Sequence, residues 1–196
     1  TTEDGKIKIT KPDLSQAAAL SVQYGTSVLE LDAELDARFQ SERLKAISWD
    51  AANQQVLEAE ARDMVGTANG NLSAKDLAKT LENQIQTLHH GGALTQPELK
   101  AWADAQMLRN RLARVRGRVK FQGFADIKPN QIIEIKGIGQ RFEGKLYASG
   151  VRHQLAGGNW ETDVQLGLSP EPFAQKMGIS TPTIDILRPS VKGLQT

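Results

Sequence analysis

The sequence predicts an α+β fold dominated by strands: a small β-barrel interrupted by an inserted helical hairpin. Three observations predict it. Short stretches alternating apolar and polar residues lie on both sides of a central region, and that period of two marks half-buried strands. Glycine-rich bends separate them at regular spacing, as in small closed barrels. Between the two groups, Leu77, Leu81, Ile85 and Leu88, and then Leu99, Trp102, Ala105, Leu108, Leu112 and Val115, repeat at helical spacing.

Taken in order, Lys6–Thr10 alternates and is stopped by Pro12-Asp13. Val28 to Asp36 sets Leu and Ala against Glu30, Asp32, Glu34 and Asp36, a long strand with one charged face. Leu44 to Trp49 and Gln55 to Ala61 read as two further strands around an Asp50–Asn53 turn, and Thr67–Asn71 is a break. Ser73 with Asp76 resembles a capping box and opens the first helix, which Gly91-Gly92 should end. Thr95 with Glu98 is a second capping box, with Pro97 in the first turn, and Gly117 marks the exit of that helix. Strands return over Arg118–Gln122, around Ile133 and Ile135, and over Phe142–Leu155, where Gly144 and Gly150 predict bends. Gly157-Gly158-Asn159 predicts a hairpin back into Trp160–Leu168, and Ser169-Pro170 starts a short helix through Met177. The predicted order is β-β-β, αα, β-β-β-β. The barrel would draw on residues near 24–62 and 113–168, because neither half has enough strands to close alone.

Composition narrows the function classes. The chain has 196 residues, 39% hydrophobic and 24% charged, with a net charge of +1 and no cysteine. That removes disulfides, thiolate metal sites and cysteine nucleophiles, and the global charge favours neither nucleic acid nor an anionic membrane. No apolar run approaches the roughly 18 residues of a membrane helix. The chain lacks an initiator Met, and Ile184–Thr196, with Pro189, has no helical period. Both ends are therefore expected to be cuts through a longer chain.

No candidate site assembles into chemistry. His89-His90 could chelate a metal but lacks a third ligand nearby, so it reads as a polar helix end. His153 beside Arg152 has no serine or carboxylate arrangement around it. Gly137-x-Gly139 lacks the third glycine and the helix of a dinucleotide site and reads as a turn. Arg109, Arg111, Arg114, Arg116, Arg118 and Lys120 form a basic run with no acid between Asp104 and Asp126. It could bind phosphates, form a solvated helix face, or pair with the acidic strand Glu30, Asp32, Glu34 and Asp36. Asp32, Glu34 and Asp36 could bind calcium, but they lie along a strand rather than a curved loop and read as a solvated strand face. Trp49, Trp102 and Trp160 could line a sugar or peptide groove, or serve as core or interface anchors.

Longer strings carry a family resemblance over roughly residues 10 to 180. Tyr24-Gly25-x-Ser27-x-Leu29-Glu30 followed by Ala33–Arg38 resembles the first barrel strands of VgrG-like proteins. Trp49-Asp50 with Asn53-Gln54 is similar to a WDPxxQ turn, with Ala51 in the proline position. Glu98–Ala105, Gly117–Gly123, Phe142–His153 and Gly158–Pro170 resemble, in order, the helix, exit strand and closing hairpin of that family. The resemblance implies the hub part of a VgrG-like or phage late-control-D-like protein, a structural rather than enzymatic role. It implies a homotrimer in the full-length protein that adapts a hexameric inner tube to a spike, among baseplate proteins and spike tip or effectors. It also implies synthesis in a bacterial cytoplasm and release on firing. Residues 1–22 would lead in from a preceding domain and 23–170 form the barrel, with the insert at about 72–116. Residues 171–196 would form a helix and linker toward an OB-fold and spike. No cofactor, metal or catalytic residue is expected, nor membrane insertion or nucleic-acid binding. Trp102, Arg111, Arg114, Arg118, Tyr147 and Trp160 are the expected interface residues. The alternative is a nucleic-acid or carbohydrate binding module built on the Arg109–Lys120 run and the tryptophans.

Overall fold

A computed structural model describes residues 2–3, 5–7, 9–62 and 69–170. All but the first two residues of the helix expected from Ser169 to Met177, the tail after it and residues 67–68 of the 67–71 break lie outside the described residues. The described residues are mainly β with two helices, and the principal sheet is curled into a half-barrel.

Six strands make that sheet: β3 (Ala18–Gln23), β4 (Val28–Leu35), β8 (Val115–Gln122), β9 (Gln131–Lys136), β10 (Gly144–Ala156) and β11 (Asn159–Leu166). Their order is β3-β9-β10-β11-β8-β4, antiparallel throughout except for parallel β3 and β9. A two-residue ladder, β1 (Thr2–Glu3) with β2 (Lys6–Ile7), precedes it, so only part of the strand expected over Lys6–Thr10 forms. β3 lies within the segment expected to lead in from a preceding domain.

The connection between β3 and β4 dictates the curl. These strands occupy opposite edges of the sheet, about 24 Å apart if six strands lay flat. The five-residue step from Gln23 to Val28 can reach at most about 18 Å. The sheet must therefore roll until the edges approach, and they touch at one corner, where Tyr24 bridges Val28. Gly25 takes φ 80° there, and the Gln23 N–H donates to Ser27 Oγ at 2.8 Å. Among the described residues no other pairing joins β3 to β4, so the barrel is open along one side rather than closed.

The concave face holds the main core. Val22, Val119, Phe121, Ile133, Ile135, Leu146, Val164 and Leu166 are each at most 3% exposed. These are the inward positions of the alternating patterns. The loop from β8 to β9 passes beneath them and adds Ile127 and Phe124. β4 and β8 approach closely at Gly117, where a Cβ would fall 2.0 Å from the Asp32 carbonyl oxygen. β10 bends where its register shifts between Ala148 and Gly150.

The insert is helix–strand–helix, which corrects the expected helical hairpin. α1 (Ala74–Thr80) starts on the Ser73–Asp76 capping box but ends at Leu81, and Glu82 turns the chain with φ 55°. Ile85–His90 then forms β7, parallel to β5 (Arg43–Asp50). The apolar spacing Leu77, Leu81, Ile85, Leu88 is helical, yet Leu81 and Ile85 are about half exposed. The segment Ile-Gln-Thr-Leu-His-His also alternates and carries two β-branched residues, and pairing with β5 decides in favour of a strand.

A second correction concerns β5 and β6 (Gln55–Glu60). The sequence reading put them in the barrel, whereas they form a separate sheet ordered β6-β5-β7. α2 (Gln96–Leu112) packs on that sheet through Leu99, Ala103 and Met107 against Leu44, Ala46 and Ala59. Its last turn reaches the barrel, where Leu108 and Leu112 meet Ile132 and Tyr147. α2 thus joins the second sheet to the barrel wall.

Candidate assembly interface

The charged face of the barrel follows from the pairing of β4 with β8. The register sets Glu30 opposite Lys120, Asp32 opposite Arg118 and Glu34 opposite Arg116. Lys120 meets Glu30 at 2.7 Å, Arg118 meets Glu30 at 3.3 Å, and Arg116 meets Glu34 at 2.6 Å and Asp36 at 3.1 Å. The next strand, β11, is acidic again: Arg118 reaches Asp163 at 3.4 Å and Lys120 reaches Glu161 at 3.7 Å. Hydrogen bonding to Lys120 holds the Glu30 carboxyl below its ordinary pKa, and the same bond raises Lys120. The strand half of the basic run is thus matched by acids on both sides, as one sequence reading expected. Asp36 is buried and gripped by Arg38 as well as Arg116, so it is no member of a solvated acidic face.

Across the sheet the registers line up Glu30, Lys120, Asp163 and Arg152 in one outward row of alternating sign. An open trough beside it is lined by Asp32, Gly117, Arg118, Gly150, Val151, Arg152, Asp163 and Gln165. β10 bonds to β9 only as far as Ala148, so its residues 150–154 form a sheet edge beside β11 and β8, and only the tip around residues 155–160 projects beyond β8 as a hairpin arm. Leu155 and Trp160 face each other on this arm and are 75% and 40% exposed.

The six expected interface residues divide. Arg118 and Trp160 lie on the charged face and the arm. Trp160 covers Gly123, whose N–H donates to the Trp160 carbonyl at 2.8 Å, and its ring sits 6.3 Å from that of His153. Trp102 is half-buried against the second sheet, edge-on to His90 at 5.2 Å. Arg111, Arg114 and Tyr147 are buried within the chain. Arg111 donates to Ser41 O at 3.0 Å and Gln40 Oε1 at 3.3 Å. Arg114 donates to Asn69 O at 3.0 Å, to Asn69 Oδ1 and to Leu72 O. Burial, with Arg111 alongside, pushes the Arg114 guanidinium below its ordinary value. Tyr147 donates to Asn130 Oδ1 at 3.1 Å. The two arginines therefore tie the second sheet and its linker to the barrel.

Sequence reasoning missed the partners of that tie. Gln40 donates to Asn110 O at 2.6 Å, and Asn110 to Gln86 Oε1 at 2.7 Å. A signal was present, since Leu99, Ala103, Met107 and Asn110 are spaced as one helical face. His89 and His90 lie on a strand rather than a helix end and alternate between its faces, so they cannot chelate one ion together. Among the described residues no three His, Asp or Glu side chains cluster as a metal site, and no helix is long and apolar enough to cross a membrane.

The sequence matches the family model described as the Alg8 N-terminal domain over residues 1–157. The chain belongs to the Alg8 N-terminal domain family. The match spans both edges of the half-barrel, the second sheet and the outgoing strand of the arm. No curated protein matches the chain. Solved structures that share the fold include two tail proteins. One is the 43 kDa tail protein of prophage MuSo2 from Shewanella oneidensis, with TM-score 0.51, 9% identity and coverage of 80% of this chain and 43% of that one. The other is a tail protein from Neisseria meningitidis MC58, with TM-score 0.50, 12% identity and coverage of 79% and 45%. This Alg8 N-terminal domain spans less than half of either protein's length.

Proposed function

We propose that this chain is a non-enzymatic structural module of a phage-tail-like contractile injection apparatus. Specifically, it would form part of a VgrG-like or late-control-D-like hub that adapts a hexameric inner tube to a trimeric spike. The observation that carries the reading is the fold shared with a prophage tail protein and a second bacterial tail protein over about four fifths of this chain. The charged, open-edged sheet supports it, because a building block needs surfaces and edges where an enzyme needs a convergent site. In this reading the full-length protein is a homotrimer, contacts the tube, baseplate proteins and spike tip or effectors, and leaves the cell within the apparatus. The binding-module alternative draws no support from Arg111, Arg114, Arg116 and Arg118, which are engaged by acids and carbonyls of the same chain.

The test is the mass of the full-length parent by light scattering and its co-purification with the tube protein. A trimer that retains the tube protein is the expected result. A monomeric parent that still supports injection, or a functional dimer, overturns the hub reading. The present chain alone should be monomeric or weakly self-associating, since the hub reading assigns much of the trimer contact to a preceding barrel and a following spike.

A further inference from the structure

The distal half of β10, with β11, β8 and β4, is a four-stranded sheet with two free edges among the described residues. Residues 150–156 of β10 bond only to β11, and β4 bonds only to β8 apart from the single bridge at Val28. An unpaired edge presents N–H and C=O groups that can template another strand. All neighbours in this sheet are antiparallel, so a second β4 beside β10 would continue the alternation of direction.

Side chains on both faces fit that neighbour. The outward row Glu30–Lys120–Asp163–Arg152 begins with an acid at one free edge and ends with a base at the other. Arg152 of one copy beside Glu30 of the next extends the alternation, with Asp32 diagonal to it. The side chains of Arg152 and Asp32 make no ion pair among the described residues. The same register sets Val151 beside Leu31, both on the core side. Counting on along the strands, it also brings Leu155 level with the corner that carries Tyr24 and Leu29, each 58% exposed. Other free edges lack this match: β3 carries no charge, and the acids of β6 have no Lys or Arg to meet on the opposite edge of their sheet, β7.

We infer that these two edges pair between copies of the chain: the distal half of β10 adds to β4 of a second copy, head to tail, with Arg152 opposite Glu30. The inference rests on the assembly reading above and names the surfaces that assembly uses.

The absence of cysteine permits a direct test. Glu30→Cys and Arg152→Cys proteins each carry one thiol at an exposed position, and cross-strand partners lie within reach of a disulfide. Mixed at equal concentration under mild oxidation, they should yield the 30–152 heterodimer several-fold over either homodimer. Adding Asp32→Lys to the Glu30→Cys protein should lower that yield several-fold. Statistical yields of the three dimers, or no cross-link, overturn the edge assignment. A Val56→Cys and Ile85→Cys pair on the edges of the second sheet separates the two failures. Cross-linking there and not at 30–152 means that copies associate through another surface, so the edge assignment falls and the assembly reading stands. No cross-link at either pair also overturns the edge assignment, while the mass of the full-length parent decides the assembly reading separately.

Discussion

Replacing Arg114 by Met separates the two halves of the basic run. Arg114 is 7% exposed, and its guanidinium serves two acceptors on Asn69 and the Leu72 carbonyl. Met keeps much of the stem's volume but removes every donor. An acceptor left buried without a partner costs about 1–3 kcal/mol. The Asn69 amide can turn away, so two such losses at the low to middle of that range are the reasonable sum. Relief from burying a charge, visible in the depressed pKa of Arg114, offsets part of it. The expected net loss is about 1–3 kcal/mol, or roughly 2–12 °C in melting temperature for a domain of this size. Arg114→Lys should recover only part, because a point charge cannot serve a forked set of acceptors. Arg118→Met is the control. Its side chain is 52% exposed, and removing such a surface pair should leave the urea midpoint nearly unchanged. The assay is urea unfolding followed by circular dichroism, with slopes compared to confirm that the same surface is exposed. A near-neutral Arg114→Met, or an Arg118→Met as damaging as it, would refute the reasoning.

Three further outcomes are expected. Trp102→Ala should destabilise by roughly 2–3 kcal/mol in the same assay, below the range for a fully buried tryptophan because the ring is only half-buried; a neutral result would mark it as a partner anchor instead. The Asp36 carboxyl is held below its ordinary pKa, chiefly by hydrogen bonds from Arg38 against an opposing effect of burial. Its contribution to stability is therefore complete above the unfolded value near pH 4 and is lost as pH falls through the lower folded value. Asp36→Asn should lower stability at neutral pH and flatten the acid limb, which acid titration of the unfolding midpoint will show. The chain should elute from heparin at low salt, because its basic run is internally matched; retention to high salt, abolished by Arg118→Glu with Lys120→Glu, would instead favour the binding-module reading.

Much of the barrel was legible in the sequence because its strands are half-buried and alternate cleanly. The acidic strand Val28–Leu35 and the basic strand Val115–Gln122 even announce their pairing by opposite charge at matching period. Pattern says which residues are strands, but not which sheet receives them. β5 and β6 alternate as well as β4 does, yet Leu44 and Ala46 face α2 rather than the barrel core. β7 was hidden more deeply, since its apolar residues satisfy both periods and only a distant parallel partner, β5, resolves them. Arg111 and Arg114 looked solvated because burial of a guanidinium depends on carbonyls from Ser41, Asn69 and Leu72, far away in sequence. A charge run has no signature that distinguishes internal ties from a surface.

The open edges also bear on how copies could associate. Each half of the edge contact uses a different surface, so pairing of β10 with β4 is heterologous, and such contacts form rings when their rotation closes and filaments when it does not. A flat sheet would extend in a line. This sheet is already rolled by the five-residue step from β3 to β4, so each added copy inherits a turn. The charged row stays on the outer face while Val151 and Leu31 continue the core face, which keeps two environments separate along the whole chain of copies. A single edge of this kind, short and flanked by charges, holds weakly in isolation. Closing the ring turns the last contact into an intramolecular one, with a gain set by effective concentration rather than by new contacts. Under the proposed pairing, weak association of single copies and firm assembly of the complete protein would both follow from the same edge.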